Sequence, residues 1–261
     1  MTTVTSVEPQ LISSRDNGLL KDLRRLAQDN SAYRKQGRVW VEGDHLCRAA
    51  LARGLQPALA VFAESFWPQA RTEWGRAASK TVIVADSLYA GLSGLESPAP
   101  MAFVLDLPAT PTLDPLAASV ILDRLQDAGN VGAILRSAGA FGFRQVIALQ
   151  GTAALWSPKV LRAGMGAHFG LRLIESAEPQ ALDALAVPIV TTSSHHGDDL
   201  HRAALPWPCA WALGHEGQGV GEAVAGRARL AVRISQPGGE ESLNVASAAA
   251  ICLHASAVSR T

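Results

Sequence analysis

The chain has 261 residues, 48% of them apolar and 18% charged, and its 23 basic residues balance 23 acidic ones. This composition is typical of a globular protein, and a net charge of zero argues against one that coats nucleic acid through its overall field. No apolar run approaches the roughly 18 residues of a membrane span, and the N-terminus lacks the features of a secretory signal, so we expect a cytoplasmic protein without membrane insertion.

The three cysteines, Cys47, Cys209 and Cys252, are widely separated and odd in number. Neither a disulfide framework nor a zinc cluster has such spacing. The sequence therefore predicts three buried free thiols.

The first half of the chain predicts a small α/β domain. An amphipathic helix over 19–34 carries leucines on one face, and the β-rich runs GRVWVEG, ALAVFAE and TVIVAD then alternate with helical segments at 43–54 and 66–79. Glycine and proline concentrate around the next strand, MAFVLDL. We place the domain boundary there, which gives domains 1–108 and 109–261.

The second half continues the alternation and predicts a mostly parallel sheet covered by helices on both faces. The predicted strands are SVILDRL, QVIAL, LRLIE, VPIVTTSS, CAWALG and ARLAVRIS. The predicted helices are NVGAILRSAGAFG, SPKVLRAGMGA, GVGEAVAGR and EESLNVASAAAICLHASAV. Ligands of such sheets bind at the carboxyl ends of the strands.

Basic residues cluster in two places although the whole chain is neutral. One cluster lies in the N-terminal segment and the other between Arg124 and Arg172. Each is either a solvated face or part of a local phosphate-binding surface. The candidate phosphate-binding residues are Arg24, Arg25, Arg34, Lys35 and Arg162.

Three strand-end segments carry the candidate chemistry. The first, LDRLQDAGNVGAILRSAGAFG, contains Asn130, which either caps a helix or meets a substrate, and Arg136, which needs a carboxylate or phosphate partner on an apolar helix. The second, LGHEGQGV, is glycine-rich but lacks the Lys-Ser/Thr ending of a Walker loop and the spacing of a dinucleotide loop. The third, PGGEESLNVASAAA, places Ser242 and Asn244 at the start of the last helix.

These segments, in this order, resemble the three signature motifs of the SpoU-type RNA 2′-O-ribose methyltransferases, a branch of the SPOUT superfamily. The segment VWVEGDHLCRAAL is also similar to the small substrate-binding domain that many members carry. One departure lies in the third motif, where Ser235 and Gln236 follow Ile234 in place of the usual proline and methionine.

The resemblance implies an α/β fold whose C-terminal, mostly parallel sheet forms a deep trefoil knot, preceded by a small N-terminal α/β domain. It implies a homodimer that pairs through the knotted domain, uses S-adenosyl-L-methionine without metal, and methylates a ribose 2′-hydroxyl of structured RNA, with ribosomal RNA favoured over transfer RNA. The implied catalytic residues are Arg136, Asn130, Glu216, Ser242 and Asn244. The implied cofactor-binding residues are Thr191, Leu213, Gly214, Gly217, Ile234, Ser242 and Leu243. With RNA as the implied substrate, the five candidate phosphate-binding residues become candidate RNA-binding residues.

Arg136 has two interpretations within this resemblance. It is either a general base or, as we prefer, a permanently charged group that holds a phosphate beside the ribose and lowers the pKa of the hydroxyl. In the family this arginine can act on the ribose held at the partner's cofactor pocket.

Two other functions are compatible with parts of the sequence. The stretch SSHHGDDLH offers His195, His196, Asp198, Asp199 and His201 as ligands for a hydrolase metal, although no second ligand group is apparent. The non-enzymatic alternative is an RNA-binding protein of the same fold without methylation activity.

Overall fold

The computed structural model describes residues 9–193, 197–238 and 242–259. The chain divides into two compact units. The first contains the residues up to Pro108 together with Trp156–Arg162, and the second contains Ala109–Leu155 and the residues from Ala163 onward. The segment Trp156–Arg162 thus groups with the first unit, although the sequence placed it in the second domain.

The first unit is an α/β unit built on one five-stranded sheet. Its elements in chain order are β1 (Gln10–Ile12), α1 (Gly18–Gln28), α2 (Ala32–Gln36), β2 (Arg38–Glu42), α3 (Asp44–Ala52), β3 (Leu59–Ala63), α4 (Trp67–Trp74), β4 (Thr81–Val84), α5 (Asp86–Tyr89) and β5 (Met101–Asp106). The strand order is β1-β4-β3-β5-β2. β5 runs antiparallel to β3 and β2, whereas β1, β4 and β3 are parallel.

The predicted continuous helix over 19–34 is wrong, because the chain forms two helices there. α1 begins after Asn17, whose side chain accepts a hydrogen bond from the Leu20 amide, and it ends at Gln28. Asp29 then turns away from helical geometry, and its carboxylate accepts hydrogen bonds from the amide and hydroxyl of Ser31. These bonds lower the pKa of Asp29. Local side-chain capping therefore overrides the helical pattern.

The second unit contains a seven-stranded sheet. From Ser119 onward the strands and α-helices are β6 (Ser119–Asp123), α6 (Ala128–Ala140), β7 (Gln145–Leu149), α7 (Pro158–Gly164), β8 (Arg172–Ala177), β9 (Ile189–Thr192), β10 (Asp198–Asp199), β11 (Ala210–Gly214), α8 (Glu222–Ala225), β12 (Ala228–Arg233) and α9 (Val245–Val258). The strand order is β10-β12-β9-β11-β6-β7-β8, and every pairing in the sheet is parallel. The prediction of a mostly parallel sheet is therefore confirmed.

The central strands of this sheet are buried on both faces. All residues of β6, β7 and β11 are buried, as expected for parallel strands covered by helices. Trp211 of β11 is fully buried, and its indole N–H donates to the Ser256 hydroxyl of α9 at 2.9 Å. The last helix is thereby fixed against the strand that leads into the glycine-rich segment.

The three cysteines are buried and unpaired, which confirms the prediction of free thiols. Burial raises the pKa of Cys209 to about 11 and that of Cys252 to about 12, and it also raises the pKa of Cys47. Among the described residues, no helix has the length and apolarity needed to cross a bilayer.

Candidate active site

The candidate cofactor-binding residues Thr191, Leu213, Gly214 and Ile234 lie at the carboxyl ends of neighbouring strands. Thr191 is paired with Ala212 of β11 and with Ala231 of β12, and Gly214 is paired with the last residue of β6. Ile234 directly follows β12. Because parallel strands all end at the same edge, these residues share the edge at which such sheets bind ligands.

Three predicted catalytic residues from the three sequence segments form one hydrogen-bonded chain. The side-chain amide of Asn244 donates to Oδ1 of Asn130 at 3.0 Å, and the amide of Asn130 donates to Oε1 of Glu216 at 3.2 Å. All three side chains are accessible to solvent. The fold therefore brings together polar groups that are up to 114 positions apart in the chain.

The helix that carries Asn130 begins earlier than the sequence predicted. Its cap is Asp127, whose carboxylate accepts a hydrogen bond from the amide of Asn130 at 2.7 Å. The interpretation of Asn130 as the cap is thus wrong. Its side chain is left to join Glu216 and Asn244, whereas Asn244 itself caps α9 by accepting from the amides of Ala246 and Ser247.

The segment 215–221, which we call the glycine loop, folds back on the end of β11. The amide of Gly219 donates to the carbonyl of His215 at 2.7 Å, and the amide of Gly217 donates to Nδ1 of His215 at 3.1 Å. A Cβ at Gly214 would collide with the backbone of Gly219 and Val220. Gly214 is therefore required by the packing of the loop itself, whereas a Cβ at Gly217 meets only the His215 ring at 3.8 Å.

Arg136 does not join the cluster of Asn130, Glu216 and Asn244 through any hydrogen bond in the described chain. Its side chain is exposed on α6, while Val131, Ile134 and Leu135 are buried. Six residues along an α-helix advance about 9 Å and leave two side chains about 120° apart. Arg136 thus points away from Asn130. Because its side chain is exposed, water can solvate the charge, and the internal carboxylate partner that its apolar neighbours indicated is not needed.

The third segment differs at Ser235 and Gln236 from the motif that it resembles, and these two residues have different surroundings. The Ser235 hydroxyl donates to the carboxylate of Asp199 at 2.5 Å, and this bond lowers the pKa of Asp199. The Oε1 atom of Gln236 is buried and, within the described chain, accepts no hydrogen bond. Ser242 and Leu243 are exposed and lead into α9.

The candidate RNA-binding residues of the first unit differ in their contacts. Arg25, Arg34 and Lys35 are exposed, and the guanidinium of Arg34 lies 5.2 Å from the ring centroid of Tyr33. Arg24 is half-buried, and its Nε donates to the carbonyl of Gly91 at 3.0 Å. Arg162 is half-buried on α7.

The residues that the structure describes contain no group of three or more His, Cys, Asp or Glu side chains that could hold a metal ion. His195 and His196, considered as metal ligands from the sequence, lie outside the described residues.

Sequence reasoning missed Asp123 and Arg124, which contact the glycine loop. Asp123 is the last residue of β6, and its carboxylate accepts a hydrogen bond from the amide of Gly221 at 2.7 Å. The sequence did carry a signal for Asp123, namely an acidic residue at the end of an otherwise apolar strand. For Asp127, the signal was an acidic residue three positions before Asn130, the spacing of a helix cap.

Comparisons with known proteins agree with this architecture. The family model of the SpoU rRNA Methylase family matches residues 117–254. A 23S rRNA (guanosine(2553)-2′-O)-methyltransferase of Bacillus subtilis strain 168 is 28% identical over 93% of this chain and 97% of its own length.

Two solved structures are similar over nearly the whole chain. One is an RNA 2′-O ribose methyltransferase that is 30% identical, with a TM-score of 0.80 over 96% of this chain and 99% of its own. The other, an AdoMet-bound rRNA methyltransferase from Sinorhizobium meliloti, is 24% identical, with a TM-score of 0.81 over 94% of this chain and 96% of its own, and shows the shared fold. Because the family model matches more than half of the chain, and its span contains Asn130, Glu216 and Asn244, this protein belongs to the SpoU rRNA methylase family.

Proposed function

We propose that this protein is an RNA 2′-O-ribose methyltransferase that uses S-adenosyl-L-methionine, with ribosomal RNA favoured over transfer RNA. The observation that carries this proposal is the hydrogen-bonded chain Asn244–Asn130–Glu216. It joins all three motifs at the carboxyl edge of a parallel sheet, the edge where such sheets bind ligands. Similarity to proteins that are themselves named RNA 2′-O-methyltransferases supports the same reaction.

The residues at this edge are the ones to which the resemblance assigns the cofactor. Thr191, Leu213, Gly214, Gly217, Ile234, Ser242 and Leu243 would hold the cofactor, which supplies an electrophilic methyl group when bound.

The hydroxyl that accepts the methyl group must be oriented and its oxyanion stabilised. Asn130 and Asn244 present amides that can orient a ribose, and Glu216 fixes the amide of Asn130. Ser242 lies two residues before Asn244 in the sequence, and it is exposed. Arg136 would bind the phosphate next to the target ribose and lower the pKa of the hydroxyl electrostatically.

The position of Arg136 favours action in a homodimer, in which it serves the site of the partner. On its own chain it points away from Asn130 and is exposed. The exposed positions of α9 also form one stripe, at Ser247, Ile251, His254 and Val258. Ile251 is 37% exposed and Val258 is 51% exposed, and two large apolar side chains on one exposed helix face are compatible with a partner there. Pairing through the second unit, with its deep trefoil knot, is part of the proposal.

The first unit would bind the RNA through the exposed residues Arg25, Arg34 and Lys35, with Arg24 and Arg162 as further contacts. Positive side chains of this kind bind phosphates of structured RNA without reading base edges.

The test is transfer of a labelled methyl group from S-adenosylmethionine to ribosomal and transfer RNA from a strain that lacks this gene. Mapping of the ribose methyl groups would then identify the nucleotide. We expect methylation of ribosomal RNA by the unmodified protein and none by the Asn130→Ala variant. RNA binding without methyl transfer by the unmodified protein would favour the non-enzymatic alternative.

A further inference from the structure

A buried carboxylate ties the glycine loop to the end of β6. Asp123 is 4% exposed, and its Oδ2 accepts a hydrogen bond from the amide of Gly221 at 2.7 Å. A carboxylate this deeply buried requires positive or donor partners. The amide of Gly221 is one, and the neighbouring arginine is the other.

Arg124 has a backbone conformation that L-residues rarely adopt, with a φ of +59°. Its Nε donates to Oδ1 of Asp123 at 3.0 Å, and its Nη1 donates to Oε1 of Gln218 at 3.1 Å. A non-glycine residue in this region persists only where the surrounding structure determines it, and such positions cluster at functional sites. The unusual backbone turns the guanidinium toward Asp123 and the middle of the glycine loop.

One glycine of the loop leaves the space that this arrangement needs. A Cβ at Gly221 would lie 2.8 Å from Nη2 of Arg124 and 3.1 Å from Oδ2 of Asp123. The glycine at 221 is therefore explained by the approach of Asp123 and Arg124, and no ligand is needed to account for it.

We propose that Asp123 and Arg124 are positioning residues that hold the glycine loop in the conformation that binds the cofactor. This inference rests on the proposed function, because the loop contributes Gly217 and Glu216 to that site. Hydrogen bonds of His215 to Gly217 and Gly219 fold the loop on itself. The side-chain bonds from Asp123 and Arg124 instead connect its middle and its end to β6, a buried central strand of the sheet.

The decisive variant is Arg124→Gly, because glycine adopts a φ of +59° without steric cost, so the folded backbone keeps its conformation while the side-chain contacts are lost. Arg124→Ala is its companion, and Arg172→Ala is the matched control, since Arg172 of β8 bonds to the carbonyl of Thr112 and not to the loop. Each protein is measured for S-adenosylmethionine affinity by calorimetry and, without cofactor, for hydrogen exchange at residues 215–221.

We expect both Arg124 variants to weaken cofactor binding about tenfold or more, which is the usual effect of losing a hydrogen bond to a charged group. We also expect faster hydrogen exchange that is confined to the glycine loop. Gln218→Ala should add little to Arg124→Gly, because the two side chains act through one bond. The Arg172→Ala control should match the unmodified protein.

Unchanged affinity and loop exchange in Arg124→Gly would overturn the proposal, as would faster exchange spread over the whole sheet, which indicates a general loss of stability. If the unmodified protein binds no S-adenosylmethionine, the proposed function fails. The exchange measurement in cofactor-free protein then still decides whether Arg124 positions the loop.

Discussion

The side-chain amide of Asn244 both caps the last helix and holds Asn130. Its Oδ1 accepts from the amides of Ala246 and Ser247, while its Nδ2 donates to Asn130 at 3.0 Å. Asn244 therefore both stabilises the helix and positions Asn130, and it uses different side-chain atoms for these two roles.

Substitutions at Asn244 should separate these tasks. Asn244→Asp keeps an acceptor for the cap but has no donor for Asn130, so we expect normal stability with methyl transfer reduced about tenfold or more, as for a misoriented substrate group. Asn244→Ala should also lose about 1 kcal/mol of unfolding free energy, because the cap is gone. Urea unfolding and methyl-transfer assays test this, and full activity in Asn244→Asp would contradict a positioning role.

Alanine substitutions of the two loop glycines should have different effects. Gly214→Ala forces a methyl group into the backbone of Gly219 and Val220, so we expect a lower melting temperature and loss of cofactor binding. Gly217→Ala has room in the protein, so its melting temperature should stay normal while cofactor affinity falls where a ligand approaches the backbone. Calorimetry and thermal unfolding distinguish the two, and normal affinity in Gly217→Ala would place the cofactor away from this residue.

The buried His168 should make the protein less stable in acid. Burial lowers the pKa of His168 from 6.5 to about 4, and its Nε2 bonds to the carbonyl of Leu155 at 2.9 Å. Between these values the unfolded chain binds a proton that the folded one excludes, so stability falls as the pH decreases from 6.5 to 4, by about 3 kcal/mol in total. Urea unfolding at pH 7 and pH 5 measures the slope. Glutamine does not titrate, so the unfolding free energy of His168→Gln should depend less on pH. If its slope equals that of the unmodified protein, other groups cause the loss of stability in acid.

Mixed dimers should regain activity if Arg136 serves the partner's site. Arg136→Ala and Asn244→Ala chains should each be inactive alone, and co-expression should restore part of the activity, because some heterodimers contain one site with both residues. Sedimentation must show a dimer in each preparation. A monomer that methylates RNA would refute the paired site, and a dimer without complementation would place Arg136 in its own chain's site.

Neutralising the exposed basic residues of the first unit should weaken RNA binding and its dependence on salt. For Arg25→Gln, Arg34→Gln and Lys35→Gln combined, we expect the slope of log affinity against log salt to fall by about one per lost phosphate contact. Arg48→Gln is the control, since Arg48 lies outside both basic clusters of the sequence. Cofactor affinity should not change. A slope equal to that of the control would show that these residues form a solvated face.

The amino-acid sequence determined the α/β class, the parallel sheet and the three segments of the site, because local patterns encode these features. Apolar runs mark strands buried on both faces, and the three motifs carry Asn130, Glu216 and Asn244 in fixed order. The resemblance of those motifs also identified the family. None of this depends on which residues meet across the sheet.

Only the tertiary structure decided the tasks of residues whose partners are distant in sequence. The local sequence predicts Asn130 as a helix cap, but the cap is Asp127. The side chain of Asn130 instead bonds to Glu216 and Asn244. Gly214 reads as a point of ligand approach, yet it is needed by the loop's own backbone. Asp123 meets Gly221 across 98 positions, a contact that exists because strand order places β6 beside β11, and strand order is a property of the packed sheet.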